Sequence, residues 1–171
     1  MSEQIFEHQQ IVSEIPENGR TIQIESDEHK RAAIAKRLAI PGVDSFRADL
    51  ELKPEQRKIR VHSRVQAVLV RECVASLEPM RETINDSFEI VFDPDFVLDE
   101  NEEFDEAFAD NDLVETLDSE IIEIGELVIQ QLSLAMDPFP RKPGAPSLAD
   151  EYGNAPEASP FAVLKEALGK E

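Results

Sequence analysis

Cysteine is almost missing from this chain: Cys73 stands alone among 171 residues. A single thiol closes no internal disulfide and builds no cysteine zinc site by itself. Tryptophan is absent, tyrosine occurs once, and aromatics total 6%. The three histidines, His8, His29 and His62, show no metal-ligand spacing. There is no phosphate-cradling glycine loop, no GxSxG elbow and no HExxH helix. No stretch approaches the roughly 20 apolar residues that span a bilayer. The opening MSEQIFEHQQ has no basic start followed by an apolar run, so no secretory signal is expected. Together these absences leave no recognisable catalytic centre and point to a reducing cytosol.

Basic charge is scarce as well. Lys and Arg number 17 against 37 Asp and Glu, for a formal net charge of −20. Such a chain repels nucleic acid and anionic membrane at long range. The distribution matters more than the total. Residues 20–92 hold 13 Lys and Arg against 12 Asp and Glu, whereas residues 93–120 hold 13 Asp and Glu and no Lys or Arg. The acidity is therefore concentrated in one segment, and a face elsewhere can be locally positive. Hydrophobic residues reach 41%, enough for a real core. The length suits one domain with tails.

Pattern then organises the chain. Residues 5–13 and the β-branched TIQI at 21–24 suit short strands, separated by the turn signals Pro16, Asn18 and Gly19. Ser26 is a plausible cap for a helix over 27–39, with Asp27 and Glu28 in its first turn. Pro41-Gly42 ends it. Phe46, Ala48, Leu50 and Leu52 share one parity. So do Ile59, Val61, Ser63, Val65, Ala67 and Leu69, with Lys53-Pro54-Glu55-Gln56 read as the turn between. Ile84, Phe88, Ile90 and Phe92 resume the period of two after Glu78-Pro79. Three consecutive antiparallel strands are expected, each with one buried and one wet face.

Segment 93–120 reads as an acidic excursion that docks partly through Phe96, Phe104 and Phe108. Residues 121–136 are apolar at 121, 124, 128, 132 and 135, which predicts a helix capped by Asp118 or Ser119. The fold class is α+β: an antiparallel sheet of about four to six strands, packed by the 27–39 and 121–136 helices. Residues 1–137 form one domain. Residues 138–171 form a Pro/Gly-rich tail, with a short amphipathic helix over 160–170.

Few clusters carry chemistry. Lys58, Arg60, His62 and Arg64 occupy the solvent parity of one strand, with neighbours about 6.6–7 Å apart. Such a stripe follows a phosphate backbone. The plainer account is a solvated face paired with Asp49 and Glu51 on the preceding strand. No aromatics interleave with the stripe, so no base-stacking platform is expected. The acidic run either mimics nucleic acid to hold a basic protein or simply solubilises. Asp99, Asn101 and Glu103 have loose calcium-loop spacing, but Phe104 stands where the turn glycine belongs. Cys73 lacks a neighbouring base, which favours a buried, inert thiol.

Several segments, taken in order, carry a resemblance. VRECVASLEPMRETINDSFEIVF holds a strand, a cysteine-centred turn, Leu and Pro, then a second strand. EIIEIGELVIQQLSLAMDPFPRKPGA holds a Gly-Glu-Leu helix and a Pro-rich exit, and PFAVLKEAL closes the chain. These resemble the YceD family, the large ribosomal RNA subunit accumulation proteins of bacteria. HKRAAIAKRLAI is similar to the variant typical of alphaproteobacteria. The resemblance spans most of residues 20–170.

It implies a cytoplasmic, non-enzymatic ribosome-biogenesis factor, with no catalytic residues to carry over. It implies ribosomal RNA precursor or ribosomal and assembly proteins as partners, with no membrane and no small-molecule substrate. Many members have Cys-x-x-Cys at the turn and a further cysteine after the last helix, a set that suits a metal. Here Cys73 matches the first position, but Ser76 replaces the second and Arg141-Lys142 follow the helix. No metal or other cofactor is expected. Lys58, Arg60, Arg64, Arg141 and Lys142 are the candidate contact residues. The rival expectation is an acidic adaptor or chaperone that holds a basic ribosomal protein through 93–120 without touching RNA. A hydrolase built on Cys73 ranks third.

Overall fold

The computed structural model describes residue 6, residues 8–96 and residues 113–145. Among these, the elements run β1 (Gln9–Ile11), β2 (Arg20–Glu25), α1 (Glu28–Arg37), β3 (Gly42–Glu55) and β4 (Lys58–Glu72). They continue with β5 (Pro79–Asp93), β6 (Leu113–Thr116), β7 (Ile121–Glu123) and α2 (Ile124–Ala135). β2 to β5 form an antiparallel meander, and β6 joins β5 in parallel, in the order β2-β3-β4-β5-β6. β1 and β7 pair as a separate two-stranded ribbon. The fold is α+β, and its main sheet is mostly antiparallel.

Alternation decides the two faces of the sheet. Phe46, Ala48, Leu50 and Leu52 of β3 are buried, as are Ile59, Val61, Val65, Ala67 and Leu69 of β4. The register sets Leu50 opposite Ser63 and Leu52 opposite Val61, so both rows point the same way. α2 covers that face with Ile124, Leu127, Val128 and Leu132, and α1 adds Ile34 and Ala35. Each such aliphatic side chain contributes about 1.5–3 kcal/mol on full burial. An Arg37–Glu126 ion pair ties the two helices together across this layer. The opposite face of the sheet carries the polar residues.

Several local boundaries differ from expectation. The β3–β4 turn is Gln56-Arg57, and β3 runs on through Pro54 to Glu55, which pairs with Lys58. Residues flanking a two-residue turn are hydrogen-bonded to each other, so Pro54 points away from β4. β2 pairing has already ended there, at Arg20 opposite Leu52. The missing proline N–H therefore costs no ladder bond. Asp27, not Ser26, caps α1, accepting from the Lys30 amide at 2.8 Å. This bond holds the Asp27 carboxyl below its ordinary range.

At its other end α1 closes without glycine. The Ala39 amide reaches the Lys36 carbonyl at 3.3 Å, and the Ile40 amide reaches Ala35 at 3.0 Å. Ala39 takes φ 52° to make this double bond, a position that glycine usually fills. α2 begins at Ile124, later than expected, and neither Asp118 nor Ser119 caps it. Residues 121–123 pair instead with β1. Strand pairing claims the first apolar turn because Ile122 is needed in the core, where it is 2% exposed. Of the acidic excursion, residues 97–112, with Phe104 and Phe108, lie outside the described residues, as does the 160–170 segment. Its far end forms β6, so this part of it docks on the sheet edge.

Candidate functional site

The polar face of the sheet displays the expected stripe. Lys58, His62 and Arg64 are exposed and Arg60 is half-buried, all on the face opposite the core. Their partners differ from expectation. Lys58 reaches Asp93 at 2.8 Å, and that bond, with the Asp95 amide next, holds the Asp93 carboxyl below its ordinary range. Arg60 pairs with Glu55 at 2.9 Å and with Glu89 on β5. His62 Nδ1 stands 3.7 Å from Glu89.

Asp49 and Glu51 do lie opposite Arg64 and His62 in register. They pair along their own strand instead. Arg47 grips Asp49 with two guanidinium nitrogens at 2.9 and 3.0 Å, and Lys53 holds Glu51 at 3.1 Å. Same-face neighbours two residues apart reach these carboxylates before the cross-strand cations do. The bidentate bond lowers the Asp49 carboxyl and raises the Arg47 guanidinium. Arg64 forms no hydrogen bond or ion pair among the described residues. Its neighbours across β5 are neutral: Ser87 lies opposite Arg64, and Asn85 lies opposite Gln66.

Arg141 and Lys142 sit elsewhere. After α2 the chain crosses to the turn between β4 and β5. The Val74 amide donates to the Pro140 carbonyl at 3.0 Å, and the Lys142 amide donates to Cys73 Sγ at 3.4 Å. Lys142 Nζ pairs with Glu78 at 2.8 Å, lowering the Glu78 carboxyl and raising the Lys142 ammonium. Arg141 is exposed. Lys58 opens β4 and Glu72 closes it. A strand rise of roughly 3.3 Å per residue puts the end of β4 about 45 Å from Lys58 and about 26 Å from Arg64. The structure therefore brings Lys58, Arg60 and Arg64 together but leaves Arg141 and Lys142 at the far end of the sheet.

Sequence reasoning missed the neutral residues around Arg64 and this strap. Parity alone marks Gln66 as outward, but Asn85 and Ser87 join Arg64 only through the β4–β5 register. The strap is held largely through its own backbone groups, which no residue pattern announces.

Cys73 is fully buried at the start of that turn. Its amide donates to Glu78 O and its carbonyl accepts from the Leu77 amide, each at 2.9 Å. Leu77 takes φ 57° to close the loop. The Lys142 amide and then Ser76 stabilise a thiolate, drawing the thiol down to about 6 against the opposing pull of burial. Among the described residues, no group of three His, Cys, Asp or Glu is placed to hold a metal ion. No helix among them is long and apolar enough to cross a membrane.

No curated protein and no solved structure matches the chain. The family model described as large ribosomal RNA subunit accumulation protein YceD matches residues 61–166. That span enters in β4, takes in the cysteine turn, β5 and α2, and runs beyond the strap that closes on Cys73. The chain therefore belongs to the YceD family of large ribosomal RNA subunit accumulation proteins.

Proposed function

We propose that this protein is a cytoplasmic ribosome-biogenesis factor that supports synthesis, processing or stability of large-subunit ribosomal RNA by contact and without catalysis. The family match over residues 61–166 carries the reading. The polar sheet face suits contact of this kind, because it presents hydrogen-bond donors and, in Arg64, an exposed arginine that no described carboxylate holds in an ion pair.

The test is genetic and biochemical. A strain lacking the protein should accumulate less large-subunit than small-subunit ribosomal RNA, and a tagged copy should cosediment with large-subunit precursors. An unchanged RNA ratio together with no cosedimentation would sink the reading.

A second reading has its own support in the 13 acidic residues of segment 93–120. In that version the segment holds a basic ribosomal protein and RNA is never touched. Replacing residues 97–112 by a short Gly/Ser linker separates the two. An adaptor loses its partner, whereas an RNA-contacting factor keeps its precursor particle.

A further inference from the structure

Most arginines among the described residues are paired with the protein's own carboxylates. Arg37, Arg47, Arg57, Arg60, Arg71 and Arg81 each hold at least one. Arg64 is different. It stands exposed near the middle of β4 on the polar face, and no described residue forms a hydrogen bond or ion pair with it, although its charge helps to lower the carboxyl of Asp49 opposite. Its facing carboxylate, Asp49, is already held at two points by Arg47.

On the β3 side Arg64 shares a concavity with Asp49 and Glu51 and helps to lower the Asp49 carboxyl; on the β5 side its strand neighbours are neutral and hydrogen-bonding. Gln66, Asn85 and Ser87 are exposed beside it and line with it a concavity of about 300 Å³. Asp86 lines the same concavity, although its parity is that of Ile84 and Phe88. Beyond it, no strand among the described residues pairs with β5 before Ile90, where β6 begins. A planar guanidinium fork flanked by amides and a hydroxyl is the donor set that contacts phosphate oxygens and sugar hydroxyls. One cation suits one phosphodiester. A longer polyanion track is disfavoured by the net charge of −20.

We infer that Arg64, with Gln66, Asn85 and Ser87, forms a contact site for a single phosphodiester of ribosomal RNA, and that Lys58 and Arg60 take no direct part in it. The inference rests on the RNA-contact reading above and names its residues. Lys58 and Arg60 are neutralised by Asp93, Glu55 and Glu89, so their charges are not available to a ligand. Arg64 touches no other described residue through a polar bond, so its replacement leaves the fold intact.

The experiment uses the full chain and a fluorescent 20-nucleotide mixed-sequence single-stranded RNA at low salt, read by anisotropy. Arg64→Gln should weaken binding about tenfold, the loss expected for a hydrogen bond to a charged group. It should also remove about one phosphate's share of the salt dependence. Lys58→Gln makes the same change in net charge and should weaken binding less than threefold. Asp86→Asn should strengthen it about twofold by removing one nearby anion.

Equal losses for Arg64→Gln and Lys58→Gln would mean bulk charge rather than a site, and would overturn the inference. So would a full chain that fails to bind the oligonucleotide. Saturable binding of inorganic phosphate at Arg64, with RNA binding indifferent to Arg64→Gln, overturns it as well. None of these outcomes touches the ribosome-biogenesis reading, which stands or falls on RNA ratios and cosedimentation.

Discussion

Arg71 and Glu82 close on the backbone of Asp137 from both sides. Their side chains pair at 2.5 Å and are 11% and 12% exposed. Glu82 accepts from the Asp137 amide at 2.6 Å, and Arg71 donates to the Asp137 carbonyl at 3.1 Å. The pair thus fixes where the chain leaves α2, and from there the strap reaches Cys73. Two neighbouring strands position a segment more than fifty residues away, and they do it through the one part of that segment that is the same in every amino acid.

This makes Glu82 more important than an ordinary surface acid. Glu82→Ala leaves Arg71 nearly buried without a carboxylate partner and is expected to destabilise the fold by about 3 kcal/mol. Asp44→Ala breaks the exposed Arg81–Asp44 pair, whose side chains are 73% and 42% exposed, and should cost under about 0.5 kcal/mol. Urea midpoints for the two variants settle the comparison. Equal shifts would mean that the Asp137 clamp contributes nothing beyond a surface pair.

Gly125 is the second sensitive position. It lies in the first turn of α2, and its amide donates to the His8 carbonyl at 3.1 Å. A Cβ there would meet the Phe6 carbonyl oxygen and stand 2.8 Å from Phe6 Cβ. Phe6 cannot retreat easily, since it is 3% exposed and its ring stacks on Phe46 at 5.4 Å. Gly125→Ala should therefore destabilise by about 2 kcal/mol. It should also raise hydrogen exchange at the residue-125 amide and proteolysis around residue 8. A variant of wild-type stability with unchanged cleavage would show that the N-terminal segment yields at no cost.

Cys73 predicts a pH dependence whose sign follows from its surroundings. The thiol is lowered in the folded chain to about 6 from 9.0. Between those values the unfolded chain binds more protons, so stability rises with pH. The contribution is complete above about pH 9 and is lost as pH falls through about 6. Denaturation midpoints of the native chain minus those of Cys73→Ala should grow across this window. A flat difference would mean that the buried thiol stays protonated throughout.

Much of the architecture was legible because strands report themselves locally. Period-two runs through Leu50, Val61 and Ile90 reveal which side of the sheet is buried before any partner is known. Errors arose where one local signal had two outcomes. Pro54 looks like a turn residue, yet it fits a strand wherever its missing N–H faces no neighbour. Residues 121–123 have helical spacing but pair with β1. The stripe on β4 was visible, but which of its cations remain available was not.

The amino-acid sequence by itself determined the fold class, the two-faced strands, the concentration of acid in 93–120 and the family to which the chain belongs. Each of these depends on residue type and spacing, which survive without coordinates. The tertiary structure decided which charges are spent. Lys58 finds Asp93 and Arg60 finds Glu89 across β4 and β5, while Asp49 is taken by Arg47 on its own strand. An ion pair forms only within a few ångströms, a distance set by register, so only the folded sheet shows that Arg64 forms no ion pair among the described residues.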